Sequence, residues 1–86
     1  MGKEEIELNV RMLLDDILDE EVEVQKISSD EKLNECGMNS LAAVKVIVKT
    51  ENFFGFEFND EDLIPGNFET ISKLVNYIQS RLCVQA

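Results

Sequence analysis

The sequence predicts an all-α fold: a four-helix bundle with three main helices, one short helix, and a long loop between the first and second helices. Three segments, near the start, middle and end of the chain, carry apolar residues at the spacing of amphipathic helices. The 86 residues include four Gly and one Pro, and 44% of them are hydrophobic, which is typical of a folded chain with one small core. We therefore expect a single domain over 1–86, with an ordered core over about 4–82 and a frayed tail at 83–86.

The first helix is predicted over residues 4–18. Its apolar side chains recur on one side of the helix, at Ile6, Val10, Leu13, Leu14 and Ile17. Glu4 and Glu5 lie in the first turn, where the helix dipole favours negative charge.

A loop of about 20 residues is predicted from Asp19 to Asn39, where acidic and short polar residues replace the helical pattern. Loops of this length are uncommon in a compact domain, and they tend to be functional or to contain a short helical turn. Ser28 and Glu31 have the spacing of a capping box, which indicates a turn at this point. The expected anchors of the loop on the core are Val22, Val24, Ile27 and Leu33.

The second helix is predicted over residues 40–54, with Asn39 as its N-cap and Gly37 permitting a positive φ just before it. It has two apolar stripes. The first consists of Ala43, Val46, Ile47, Thr50 and Phe54, and the second of Leu41, Val44 and Val48. Since one stripe is enough for a core, the second is either buried in a central helix or exposed as a docking surface beside Ser40.

Aromatic residues dominate the next segment and are expected to close the core: Phe53, Phe54, Phe56 and Phe58. Asn59 is expected to cap a short helix over 59–63, which stops at Pro65. Thr70 is expected to cap the last helix. One side of that helix carries Ile71, Leu74, Val75, Ile78 and Leu82.

The charge balance excludes several classes of partner. Eighteen acidic and eight basic residues give a net charge of −10, which opposes binding to nucleic acids and to anionic membranes. No apolar run approaches the roughly 20 residues that a membrane helix needs, and the N-terminal residues do not resemble a secretory signal. We expect a cytoplasmic protein with no membrane insertion.

The sequence offers no catalytic or metal site. It contains no His, so nucleophilic catalysis by a Ser-His or Cys-His pair is not available. Cys36 and Cys83 are expected to be reduced thiols, and two Cys without His make a poor metal site. The acidic run 59–62 lacks the spacing of a calcium loop and is better interpreted as a solvated helix start. A small acidic enzyme or metal protein is therefore the weakest interpretation.

Ser40 is the residue most suggestive of function. A hydroxyl at a helix start, directly after a loop that contains glycine, suits a phosphate group, although many serines occupy first turns without such a role. Residues 37–41, Gly-Met-Asn-Ser-Leu, resemble the G-x-D-S-L phosphopantetheine attachment motif of acyl carrier and peptidyl carrier proteins. The resemblance extends to the aromatic turn at 54–58 and to Asn-Phe-Glu-Thr-Ile at 67–71, before the last helix.

This resemblance implies that Ser40 is esterified with the 4'-phosphopantetheine arm of coenzyme A by a separate phosphopantetheinyl transferase. The protein would then be a carrier, not an enzyme. It would hold acyl, aminoacyl or peptidyl intermediates as thioesters, receive them from a loading enzyme and present them to downstream synthase enzymes. We expect a free-standing monomer, and the sequence leaves open a domain excised from a larger synthase. The alternative is an unmodified protein of the same fold that acts as a structural or regulatory interaction subunit.

Two departures from the family pattern bear on its partners. Asn39 stands where the family most often has Asp, a residue that contributes to the metal-dependent active site of the transferase. Lys45 and Lys49 stand where carriers of fatty-acid synthesis tend to have carboxylates. Residues 1–35 hold 12 acidic and 4 basic residues, a net charge of −8, whereas residues 36–86 hold 6 and 4, a net charge of −2.

The difference in charge favours a specialised pathway, such as polyketide or nonribosomal peptide synthesis, while Asn39 bears on how well the transferase modifies Ser40. The residues predicted to contact partners are Asn39, Leu41, Val44, Lys45, Val48 and Lys49. At Cys36 the family usually has an aliphatic residue, and we expect the thiol to pack in the same way.

Overall fold

A computed structural model describes residues 2–18 and 21–84 and contains three α-helices. They are α1 (Lys3–Ile17), α2 (Ser40–Phe54) and α3 (Ile71–Val84). Single 3-10 turns lie between them at Val24–Lys26, Leu33–Glu35, Asp60–Asp62 and Pro65–Asn67. The described part of the chain contains no strand, and α1 packs against both α2 and α3. The all-α prediction is confirmed.

The core forms where the predicted apolar sides of the helices meet. The apolar side chains that are at most 1% exposed come from α1, α3 and the long loop: Ile6, Val10, Leu14, Leu33, Ile71, Leu74, Val75 and Ile78. From α2, Val46 and Thr50 are buried. Burial of these side chains supplies most of the driving force for folding.

Arg11 is buried next to this apolar side of α1, although the sequence pattern does not single it out. One guanidinium nitrogen, Nη1, donates to the carbonyl oxygens of Val24 at 2.8 Å and Ile27 at 2.9 Å. Its Nε donates to Glu7 at 3.2 Å. Buried carbonyl groups need donors, so Arg11 ties the long loop to α1.

The long loop contains the predicted turn at 28–31 and two 3-10 turns that the sequence did not predict. The 3-10 turns Val24–Lys26 and Leu33–Glu35 lie on either side of the predicted turn at 28–31. The backbone N–H of Ser28 does donate to Glu31 Oε1 at 3.3 Å, as in a capping box, yet no helix follows.

The predicted turn at 28–31 forms as a single turn, in which the N–H of Glu31 donates to the carbonyl of Ser28 at 3.1 Å. Tertiary hydrogen bonds explain why this turn does not continue into a helix. The carbonyl of Ser29 accepts from the N–H of Ser72 at 2.9 Å, and the N–H of Leu33 donates to the carbonyl of Glu69 at 2.8 Å. Both bonds reach the segment around the start of α3, so these backbone groups pair across the fold instead of within a helix. The predicted anchors Val24, Ile27 and Leu33 are buried, and Val22 packs against the core.

The aromatic segment closes one end of the core. Phe56 and Phe58 are buried as predicted, and the Phe58 ring stacks on Tyr77 with centroids 4.9 Å apart. Phe53 is the exception, since half of its surface is exposed. The predicted short helix is the single 3-10 turn Asp60–Asp62.

Asp62 joins this turn to the last helix. Its carboxylate accepts from the Tyr77 hydroxyl at 2.8 Å, and its carbonyl accepts from the Asn67 side chain at 2.9 Å. Burial and this hydrogen bond raise the pKa of Tyr77 above its ordinary value.

The C-terminal end of α3 extends into the predicted tail. The helix includes the backbone of Cys83 and Val84, while the side chain of Cys83 and residues 85–86 lie outside the described residues. None of the helices described is both long enough and apolar enough to cross a membrane.

Replacing Arg11 with Leu should lower the free energy of unfolding by about 2 to 4 kcal/mol, because two buried carbonyls would lose their donor. Urea denaturation measures this loss. The matched control is Glu7→Gln, which removes a half-exposed ion pair and should change stability by less than about 1 kcal/mol. Equal losses in both variants would contradict the role of Arg11 as the anchor of the loop.

Tyr77 should ionise only above the ordinary tyrosine pKa of about 10. Because the folded state holds this proton more tightly than the unfolded state, the stabilisation is complete below that value and is lost as the pH rises through the folded-state pKa. The chain has one Tyr and no Trp, so ultraviolet absorbance of the tyrosinate reports Tyr77 alone. Asp62→Asn should lower the pKa towards the ordinary value; an unchanged pKa would assign the shift to burial alone.

Candidate functional site

Ser40 is the first residue of α2 and is exposed. The residue before it, Asn39, has an extended backbone, and its Oδ1 accepts from the N–H of Ala42 at 2.8 Å. This is the predicted N-cap, and it fixes where the helix begins. The hydroxyl of Ser40 is therefore presented to solvent at a defined helix start.

Gly37 allows the chain to turn into this helix start. Its φ is +106°, as the sequence predicts, a conformation that side chains rarely adopt. A Cβ at this position would also lie 3.3 Å from Cγ2 of Val22. The turn therefore needs glycine both for its dihedral angles and for the close packing of the loop.

Met38 anchors the segment to the core. Its side chain is buried, and its N–H donates to the carbonyl of Leu33 at 3.1 Å. The same carbonyl accepts from the N–H of Cys36 at 3.0 Å. The position of Ser40 is thus coupled through two hydrogen bonds to Leu33, a fully buried residue of the loop.

The start of α2 suits a phosphate group. Within the described residues, the backbone N–H groups of Ser40 and Leu41 donate to no acceptor. Unpaired N–H groups in the first turn of a helix favour an anion. An exposed hydroxyl beside two free donors therefore fits a phosphodiester.

A groove of about 410 Å³ opens beside Ser40. Its walls are formed by Asn34, Met38, Asn39, Ala43, Phe68 and Glu69. The carboxylate of Glu69 lies 3.8 Å from Nζ of Lys32 and 3.6 Å from Nζ of Lys73, so its charge is offset by two cations. A groove with methionine and phenylalanine in its walls can hold the methylene part of an arm that starts at Ser40.

Sequence reasoning did not assign Asn34, Phe68 or Glu69 to this site. Phe68 and Glu69 belong to the segment 67–71 that resembles the carrier family, but this resemblance does not indicate where they lie relative to Ser40. No local pattern places these residues next to Ser40, because their proximity depends on how the loop packs against the start of α3.

The second apolar stripe of α2 is exposed. Leu41, Val44 and Val48 have 65%, 56% and 47% of their surfaces exposed, whereas Val46 and Thr50 face the core. Of the two interpretations that the sequence leaves open, the structure shows the exposed one. The stripe begins next to Ser40 and runs along α2.

The two lysines of α2 differ in their surroundings. Lys49 forms an ion pair with Asp16 of α1, and its hydrogen bond and charge lower the pKa of Asp16. Lys45 is exposed and forms no ion pair within residues 2–18 and 21–84. Among the described residues, Lys49 thus has an intramolecular partner and Lys45 has none.

Cys36 packs against the core as expected for the aliphatic residue it replaces. Its Sγ donates to Glu31 Oε2 at 3.2 Å, and burial together with that carboxylate raises the pKa of the thiol. The thiol therefore stays protonated and weakly nucleophilic near neutral pH. The described residues contain no group of three or more Cys, Asp or Glu that could hold a metal ion.

Comparisons with known proteins agree with this geometry. The sequence profile of the family described as "Phosphopantetheine attachment site" matches residues 9–78. An acyl carrier protein of Coprothermobacter proteolyticus is 33% identical over 82 residues, which are 95% of this chain and 96% of the relative. The solution structure of the holo acyl carrier protein of Nitrosomonas europaea superimposes with a TM-score of 0.79 at 26% identity, covering 91% of this chain and 95% of that one. The chain therefore belongs to the acyl carrier protein family, whose members are carriers with a 4'-phosphopantetheine prosthetic group and not enzymes.

Proposed function

We propose that the hydroxyl of Ser40 is the attachment point of 4'-phosphopantetheine. The observation that carries this proposal is the exposed hydroxyl at the capped start of α2, next to two unpaired N–H groups and an apolar groove. When attached, the group supplies a terminal thiol on a flexible arm, to which acyl, aminoacyl or peptidyl cargo is bound as a thioester.

The residues around Ser40 have separate roles in this proposal. Asn39 fixes the start of α2, so the hydroxyl reaches the transferase from a rigid helix end. The N–H groups of Ser40 and Leu41 lie where they can donate to phosphate oxygens. Met38 and Phe68 line the groove that accommodates the apolar part of the arm.

The exposed stripe on α2 is the proposed docking surface for the transferase, the loading enzyme and the downstream enzymes. Leu41, Val44 and Val48 form its apolar part, and Asn39, Lys45 and Lys49 lie at its margin. With two Lys and one Glu, α2 has a net charge of +1. This charge favours partners that are not strongly basic and supports a specialised pathway such as polyketide or nonribosomal peptide synthesis.

The proposal also covers the setting in which the carrier works. We expect a cytoplasmic monomer whose net charge of −10 opposes self-association. A carrier that serves several enzymes in turn gains from a small size and a tethered arm, because tethering raises the effective concentration of the cargo.

Incubation with coenzyme A, magnesium and a broad-specificity phosphopantetheinyl transferase should add one phosphopantetheine to the intact mass. Ser40→Ala should gain nothing, because it lacks the attachment oxygen. Its fold should be unchanged, since Ser40 is exposed. No gain on the parent with several transferases would favour the unmodified interaction subunit instead.

Asn39→Asp should be modified faster than the parent, because it keeps the cap and restores the carboxylate that the family provides to the transferase. The initial rate of mass gain measures this effect. Asn39→Ala separates the two roles: it should lower the free energy of unfolding by about 1 kcal/mol through loss of the cap. A rate for Asn39→Asp below that of the parent would contradict this assignment.

Charging the exposed stripe should impair docking without unfolding the protein. We expect Leu41→Asp, Val44→Asp and Val48→Asp each to lower kcat/KM for modification of Ser40 by about tenfold, with less than about 1 kcal/mol lost in unfolding free energy. Asn76→Asp adds the same charge at an exposed position of α3 and should leave kcat/KM unchanged. Val46→Asp, in the core, should unfold the protein. If the stripe variants lose unfolding free energy in proportion to their loss of kcat/KM, the stripe has a structural role instead.

A further inference from the structure

The outward side of α1 carries two exposed apolar residues that the core does not use. Leu8 and Met12 are both 62% exposed. They are four residues apart, so they lie on one side of the helix, about 6 Å apart along its axis. The core side of the same helix is formed by Ile6, Val10 and Leu14.

Phe53, near the end of α2, extends this apolar surface. It is 51% exposed and lines a groove of about 390 Å³ between α1 and α2 together with Met12. The Phe53 ring meets Phe54 edge-on, with centroids 5.0 Å apart, and Phe54 packs against the core. The ring is thereby held in place although half of it faces solvent. We call Leu8, Met12 and Phe53 the α1 surface.

Carboxylates flank the α1 surface at both ends. Glu4 and Glu5 precede Leu8 by four and three residues, and Asp15 and Asp16 follow Met12 by three and four. These spacings put all four carboxylates near the same side of the helix, and the two pairs are about 16 Å apart along its axis. All four residues are exposed.

Few cations offset these charges. Lys49 pairs with Asp16, whereas Glu4, Glu5 and Asp15 form no ion pair within the described part of the chain. The guanidinium of Arg11 is buried against the long loop. The α1 surface is therefore apolar at its centre and negative at both ends.

We propose that the α1 surface binds a basic amphipathic helix of a partner protein, with apolar side chains at its centre and Lys or Arg about 16 Å apart at its ends. Charge complementarity supports this partner. A second copy of the chain would set the carboxylates of one molecule against those of the other, and such like-charge contacts are costly.

The Phe53 part of this surface is distant from the start of α2, whereas the flanking Asp16 shares a groove with Val44 and Val48. Phe53 lies 13 residues after Ser40, which corresponds to about 20 Å along α2. A partner on the α1 surface would leave Ser40 accessible. If the proposed attachment at Ser40 holds, the carrier can remain anchored to one protein while its arm serves another.

The test uses the unmodified full-length chain with isotope labelling and a synthetic helix that has a leucine stripe and arginines at both ends. Chemical-shift changes should cluster around Leu8, Met12 and Phe53, and a matched peptide with glutamates should not bind. The double variant Leu8→Gln, Met12→Gln keeps every charge and should weaken binding by about tenfold. The control Leu41→Gln, at the opposite end of α2 from Phe53, should bind like the parent.

Each of the other outcomes would overturn the proposal. Equal affinity of the double variant and the parent for the peptide would show that net charge alone attracts it. Chemical-shift changes centred on Leu41 and Val44 would assign the peptide to the stripe beside Ser40. A dimer of the chain that disappears in the double variant, seen by sedimentation, would make a second copy the occupant. Thermal melting checks that the Gln variants are folded, and none of these readouts depends on modification of Ser40.

Discussion

The buried guanidinium of Arg11 is the interaction on which the position of the functional segment depends. It supplies donors to the carbonyl groups of Val24 and Ile27, which the loop buries against α1. With the first part of the loop fixed in this way, Leu33 enters the core, and its carbonyl then holds Cys36 and Met38. The capped start of α2 follows directly from this arrangement. A charged residue of the first helix thus helps to place an exposed hydroxyl at the start of the second.

The two proposed docking surfaces differ in electrostatic character. The stripe on α2 is apolar with the exposed Lys45 at its margin, whereas the α1 surface is apolar between pairs of carboxylates. The ion pair of Asp16 with Lys49 lies between them and links the two helices. A basic partner of the α1 surface would be repelled by the lysine beside the stripe, and an acidic partner of the stripe would be repelled by the carboxylates of α1. A small carrier can in this way distinguish more than one class of partner.

Local signals predicted the helices closely. The predicted and observed bounds of α2 are the same, because Asn39 caps its start and Gly55, with a φ of +74°, ends it in the left-handed conformation. The turn that the capping-box spacing indicated at 28–31 is present, but it remains a single turn. At Ser29 and Leu33, hydrogen bonds to the segment around the start of α3 keep it from continuing into a helix. Phe53 is exposed because the core is already closed by other aromatic rings.

The sequence by itself determined which side of each helix is buried, where α2 begins, and the resemblance that led to the acyl carrier protein family. These properties depend on residue spacing and on capping side chains, which act over a few residues. Only the tertiary structure decided that the stripe of Leu41 is exposed, that Phe68 lies beside Ser40, and that Lys49 is paired with Asp16. Each of these depends on how residues far apart in the chain pack together, and periodicity within one helix carries no information about that packing.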